Sequence, residues 1–103
     1  MNYSVFFTPE AKDDLFDLYD YIADRSGPKR ALGYINRIEK SCFSLQVFPE
    51  RGTSRDDLRP GMRVMGFERR VLIAFRINSD SVVILRILYG GRSVELAFPN
   101  KEQ

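Results

Sequence analysis

The sequence predicts an α+β domain in which an N-terminal strand and an antiparallel helical hairpin precede a three-stranded antiparallel sheet, in the order β-α-α-β-β-β. Three observations lead there. Apolar residues recur at helical spacing on both sides of one Gly27-Pro28 break. Two dense β-branched runs then follow late in the chain, separated by a short polar turn. Finally, 103 residues, 44% hydrophobic and 29% charged, suffice for one hydrophobic core and leave little for a second. One domain is expected over residues 1–98, with a loose tail from 99 to 103.

Tyr3-Ser4-Val5-Phe6-Phe7 is aromatic, β-branched and short, so it reads as the first strand. Thr8 is placed to cap a helix with Pro9 in its first position, and Glu10, Asp13 and Asp14 put negative charge where the helix dipole favours it. Ala11, Leu15, Leu18 and Ile22 form one apolar stripe, widened by Phe16 and Tyr19, with Asp13, Asp17, Asp20 and Asp24 on the wetter side. That helix should end near Arg25 or Ser26, where Gly27 permits the turn and Pro28 opens the next helix. Ala31, Ile35, Ile38, Cys42 and Leu45, with Tyr34 beside them, carry a second stripe from about Pro28 to Gln46. A connection this short folds the two helices into a hairpin.

Pro49 to Pro60 is polar and turn-rich and reads as a loop. Gly61 to Phe67 starts the sheet. Val71 to Ile77 and Val82 to Tyr89 are stronger strands joined by Asn78-Ser79-Asp80-Ser81. Nearly every residue of these two strands is apolar, as expected for strands covered on both faces; Arg76 and Arg86 interrupt them. Val94 to Phe98 fits either a strand end or a single helical turn.

Composition excludes several chemistries. There is no histidine and one cysteine, Cys42, so a Cys/His metal site, a Ser-His-Asp triad, a Cys–His pair and an internal disulfide are ruled out, and no metal or cofactor is expected. Cys42 lies within an apolar helical pattern and reads as a small core residue. No secretory signal is visible, and no apolar run approaches the roughly 20 residues needed to cross a bilayer, so a cytoplasmic protein without membrane association is expected. The net charge of +2 is small, but it is unevenly spread. Residues 8–50 carry six basic and eight acidic residues, whereas residues 51–92 carry nine arginines, no lysine and four acids. Guanidinium forks bind carboxylate or phosphate in a bidentate way, so this half should meet an acidic partner.

Two segments concentrate the candidate residues. In Leu58-Arg59-Pro60-Gly61-Met62-Arg63 the Pro-Gly turn can aim Arg59 and Arg63 toward one site, although two solvated side chains are the commoner outcome for exposed charge. In Arg86-Ile87-Leu88-Tyr89-Gly90-Gly91-Arg92 a central strand ends in a glycine pair flanked by a phenol and two guanidiniums. Arg86, in a hydrophobic strand, needs a partner: an external ligand, backbone carbonyls or an acid from the helices. Arg76 joins this set as the other arginine within a strand. Phe43, Phe48, Phe67, Phe75 and Phe98 read as core rather than as stacking platforms for bases.

The order of these segments resembles the RelE/ParE toxins, and among them the ParE branch. The resembling positions are Thr8-Pro9-Glu10-Ala11, Asp14-Leu15, Leu18 to Ala23, Gly27-Pro28, Ala31, Tyr34-Ile35, Leu45, Phe48-Pro49, Arg51-Gly52, Leu58 to Arg63 and Ile84 to Arg92. The resemblance implies a helical hairpin on a small curved sheet, and the toxin half of a type II toxin–antitoxin pair, in a hetero-oligomer with an antitoxin whose acidic C-terminal segment wraps and neutralises it. It also implies DNA gyrase as the target, whereas RelE-like relatives cut mRNA on the ribosome. For an RNase, Arg63, Arg86 and Arg92 would supply cations and Tyr89 a proton, but a general base is lacking: there is no histidine, no lysine lies between Lys40 and Lys101, arginine stays charged, and Glu68, the one alternative, falls in an expected turn. A non-enzymatic inhibitor is therefore expected, with Arg59, Arg63, Arg76, Arg86, Tyr89 and Arg92 as its antitoxin- or target-binding residues. ParE-like toxins commonly carry histidine where this chain has Tyr89, a departure that suits an RNase better than a gyrase inhibitor. An inactive relative that only binds the antitoxin is the third possibility.

Overall fold

A computed structural model describes residues 2–99. Strand β1 (Ser4–Phe7) leads into helices α1 (Pro9–Ser26) and α2 (Pro28–Phe43), and α2 runs on into a 3₁₀ turn, Ser44–Gln46. Strands β2 (Thr53–Ser54), β3 (Met62–Phe67), β4 (Val71–Ile77) and β5 (Ser81–Tyr89) follow, and α3 (Val94–Ala97) closes the described chain. The five strands lie in the order β1-β5-β4-β3-β2; β1 runs parallel to β5 and the other neighbours are antiparallel. The expected three-stranded antiparallel unit is therefore present as β3-β4-β5. It is extended on one side by β1 and on the other by a two-residue strand within the stretch read as loop. Val94–Ala97 is the helical turn rather than a strand end. The expected tail, apart from Pro99, lies outside the described residues.

Local chemistry accounts for the hairpin. The Thr8 hydroxyl accepts from the Ala11 N–H at 3.0 Å, and Pro9 occupies the first helical position, where its missing N–H costs nothing. At the hairpin corner Gly27 has φ 92°, a region that side chains with a Cβ rarely enter, and its N–H closes α1 on the Ala23 carbonyl at 2.9 Å. Pro28 then starts α2.

The sheet buries both faces, as its near-continuous apolar strands require. On the helix side Leu15, Leu18, Ile35, Ile38 and Leu45 pack with Ile73, Phe75 and Ile84. On the other side Met62, Ala74 and Leu88 are covered by Val94 and Phe98, with Leu58 and Ala97 at the margin. Phe75 and Phe98 are thus core, as expected, and Phe67 is half-buried. Phe43 and Phe48 depart from expectation and are exposed: they fall at the end of α2 and just after it, where Phe43 meets the edge strand through Phe7, ring centre to ring centre at 5.7 Å.

One irregularity ties the helices to the sheet. The β4–β5 register passes from Ala74↔Arg86 to Phe75↔Ile84, leaving Leu85 as an extra residue in β5. This bulge lets Ile84 and Ile87, three positions apart, both enter the helix-side core. The start of the helical hairpin satisfies the backbone groups around the bulge. Thr8 donates its N–H to the Ile84 carbonyl at 3.0 Å and its hydroxyl to the Leu85 carbonyl at 2.9 Å. Asp14 Oδ2 accepts from the Ile87 N–H at 2.8 Å and from Arg86 Nε at 2.7 Å, and Oδ1 accepts from Arg86 Nη2 at 2.9 Å. Asp14 is 8% exposed, whereas Asp13, Asp17, Asp20 and Asp24 are exposed as the helical pattern predicts.

Replacing Asp14 by Ala strands a buried N–H and a half-buried guanidinium together, a loss of about 3 kcal/mol by the usual cost of breaking such pairs. Urea or thermal unfolding should show that loss for Asp14→Ala, and a change of no more than about 0.5 kcal/mol for the exposed Asp13→Ala. Burial pushes the Cys42 thiol up to about 12. The native protein should therefore fail to react with a thiol reagent at neutral pH and should react with one equivalent on unfolding.

Candidate functional site

The structure distributes the six predicted residues over both faces and both ends of the sheet. Arg76 stands opposite Met62 at one end, and Tyr89 stands opposite Val71 at the other, with Arg92 just beyond it. Arg59 and Arg63 are not brought together by the Pro60-Gly61 turn. Arg63 pairs with Phe75, whose side chain enters the helix-side core, and its guanidinium donates to the Arg51 carbonyl at 2.8 Å and the Gly52 carbonyl at 3.3 Å. Gly52 is required there: φ is 75°, and a Cβ would lie 2.2 Å from the Val64 carbonyl oxygen. Arg59 goes to the opposite face, donating to the Leu58 carbonyl at 2.6 Å with its guanidinium 5.5 Å from the ring centre of Phe98. Arg59 lies in the turn before β3, whereas Arg63 is in the strand on the face of Phe75. Arg86 takes the acid from the helices, Asp14, in a bidentate pair that leaves little of its charge for an external anion.

Tyr89 belongs to a constellation that sequence reasoning did not assemble. Its ring centre lies 5.6 Å from that of Tyr21 on α1 and 6.4 Å from that of Tyr34 on α2. Around these phenols opens a groove of about 630 Å³, lined in addition by Arg25, Arg30, Arg37 and Arg70. The Arg25 guanidinium lies 3.8 Å over the Tyr21 ring and that of Arg37 lies 5.1 Å from Tyr34. Burial, followed by the nearby Glu68 charge, raises the Tyr34 phenol above its ordinary value. Three of these arginines come from the half of the chain that is net acidic, which is why charge counting overlooked them. A helical projection would have found part of the set, since Arg30, Tyr34 and Arg37 recur at spacings of four and three, offset from the Ala31, Ile35, Ile38 stripe.

The β3–β4 turn closes one end of the groove. Glu68 and Arg69 both have positive φ, 48° and 64°, so the chain turns with two non-glycine residues in a left-handed conformation. Arg37 holds this turn by donating from Nε and Nη2 to the two Glu68 oxygens, each at 3.0 Å. The only carboxylate lining the groove among the described residues is therefore fully engaged by a guanidinium. The arrangement can bind an anion, and it presents no unengaged carboxylate to take up a proton. Among the described residues, no group of three or more His, Cys, Asp or Glu is placed to hold a metal ion, and no helix is long and apolar enough to cross a membrane.

A helical hairpin against a sheet with this order is the architecture of known toxin–antitoxin proteins. The chain superposes on a chain of the chromosomal ParDE system from P. aeruginosa with a TM-score of 0.74 and 31% identity, over 84% of this chain and 95% of that one. It superposes on a chain of the RelBE2 toxin–antitoxin complex from Mycobacterium tuberculosis with a TM-score of 0.66 and 25% identity, over 89% and 95% of the two chains. Residues 5–94 match the family model for the ParE toxin of the type II parDE toxin–antitoxin system, and the chain belongs to that family. It is also 37% identical over 83 residues to Toxin ParE3 of Caulobacter vibrioides, covering 81% of this chain and 82% of that protein.

The Arg37 pair holds the Glu68 carboxyl below its ordinary value of 4.5. A carboxyl with a lowered folded-state value contributes stability above its unfolded value and loses that contribution as pH falls through the folded one. In an NMR titration Glu68 should titrate below 4.5, and Arg37→Ala should return it toward that value; an unchanged titration would show that the pair does not persist in solution.

Proposed function

We propose that the protein is a cytoplasmic, non-enzymatic inhibitor of DNA gyrase, folded as one toxin domain and neutralised by an antitoxin. The observation that carries this reading is the engagement of the groups an RNase would need. Arg86 is held by Asp14, and both oxygens of Glu68, the only carboxylate lining the Tyr21-Tyr34-Tyr89 groove among the described residues, accept from Arg37. General acid–base chemistry requires a group free to exchange its proton near neutral pH, and arginine does not serve. Membership of the ParE family supports the gyrase target over the ribosome.

The antitoxin partner follows from the relatives, which are described as members of ParDE and RelBE toxin–antitoxin systems. Arg59, Arg76 and Arg92 meet no carboxylate among the described residues, so they remain for the acidic side chains of such a segment or for the target. Arg63, Arg86 and Tyr89 contribute by shaping the surface on which these arginines stand. An amphipathic antitoxin segment would order on this surface, its carboxylates meeting guanidiniums, in a hetero-oligomer.

Purified toxin should inhibit gyrase supercoiling in a dose-dependent way, and an equimolar amount of the antitoxin encoded beside it should restore activity. Full supercoiling at a large excess of toxin would reject the proposal. Toxin-dependent cuts in a reporter mRNA during translation, lost in Tyr89→Phe, would replace it with a ribonuclease.

A further inference from the structure

The groove between the Gly27-Pro28 corner of the helical hairpin and the β3–β4 turn has more positive charge than the fold uses. Arg25, Arg30 and Arg70 meet no carboxylate among the described residues, and Arg37 has Glu68 alone. Arg70 also lines a second, smaller groove with Arg69 and Arg92, so the basic surface continues around the turn. We propose that this surface is a binding site for the phosphate backbone of nucleic acid, read without regard to base sequence.

Three features favour that ligand over an acidic peptide. First, the groove between α1 and α2 is lined by a single aliphatic side chain among the described residues, Ile22. An amphipathic peptide buries several aliphatic side chains on one side, whereas the rest of the apolar lining here is the rings of Tyr21, Tyr34 and Tyr89. The outer face of the hairpin, where Phe16, Leu32 and Phe43 surround a larger apolar groove, has that character instead and is lined by no arginine. Second, stacking of Arg25 on Tyr21 and of Arg37 on Tyr34 restricts these guanidiniums before any ligand arrives, so less side-chain freedom is lost on binding an oxyanion. Third, the same stacking occupies one face of each ring. It leaves less aromatic surface for splayed bases, so recognition falls on phosphates, which carry no sequence information. The site is independent of the gyrase reading, since it rests on this groove and on no property of a target enzyme.

Fluorescence anisotropy tests the proposal, with the purified full chain and labelled oligonucleotides of about 20 nucleotides supplied as single-stranded DNA, duplex DNA and RNA. If about three phosphates are neutralised, the logarithm of affinity should fall with the logarithm of salt concentration with a slope of roughly −3 on duplex DNA between about 50 and 200 mM. The exposed pair Arg30→Ala/Arg70→Ala should lower affinity at low salt at least about tenfold and flatten that slope by roughly 2. Lys12→Ala/Lys40→Ala removes the same charge elsewhere and should change affinity by less than about twofold. Binding of any of the three oligonucleotides with this dependence supports the site, and their ranking identifies the natural form. The proposal fails if no salt-dependent binding occurs at about 50 mM, or if both double variants weaken binding equally, which would reflect net charge alone. It also fails if polyglutamate binds through Arg30 and Arg70 more tightly than any oligonucleotide.

Discussion

Asp14 joins the two halves of this molecule. Its carboxylate accepts the Ile87 N–H beside the β5 bulge and both arms of the Arg86 fork, while the neighbouring Thr8 answers the Ile84 and Leu85 backbone carbonyls. β1 ends at Phe7, opposite Ile84, so β5 from Leu85 onward lacks a strand on that side. The first turns of α1 take the place of that strand. A hydrophobic stripe could slide along the sheet, since apolar contact is not directional. A carboxylate with three defined donors cannot, and it sets where the hairpin sits on the sheet.

That constraint sorts the arginines. Arg86 is consumed in holding the fold, and Arg63 is consumed in holding the loop carbonyls of Arg51 and Gly52. Arg55 bridges Asp57 and Glu95 and so ties the loop before β3 to α3 on the far face. A positive count along the sequence therefore overstates what the sheet offers a partner. Among the guanidiniums that meet no carboxylate of the described residues, Arg59 and Arg76 lie at one end of the sheet, and Arg69, Arg70 and Arg92 at the other.

The second end owes its form to strain held in place. A turn through Glu68 and Arg69 places two side-chain-bearing residues at positive φ, and the Arg37 fork grips the first of them from α2. The same contact brings α2 to Tyr89 and closes the groove with its phenols and guanidiniums. Stacking, ion pairing and turn geometry thus combine helix and sheet into one basic surface, as the bulge and Asp14 do at the other contact between the two layers.

The sequence by itself determined the order of the main elements (not the short β2 or the helical form of α3), the two helical stripes with their Thr8-Pro9 start and Gly27-Pro28 break, the two-sided burial of β4 and β5, the core position of Cys42 and the family resemblance. These features are local, or depend on periodicities of two and about 3.6 that any reader of the chain can count. Asp14 illustrates the limit. Its spacing of three from Ala11 and four to Leu18 put it on the apolar stripe, yet nothing local said that its partners would be 72 and 73 residues away. Only the tertiary structure decided the parallel seat of β1 beside β5, the extra residue at Leu85, the separation of Arg59 from Arg63 and the meeting of Arg25, Arg30 and Arg37 with Arg70 and Tyr89. Each of these depends on which strand edges and helix ends become neighbours, and that is settled by packing the whole chain at once, not by the spacing of residues along it.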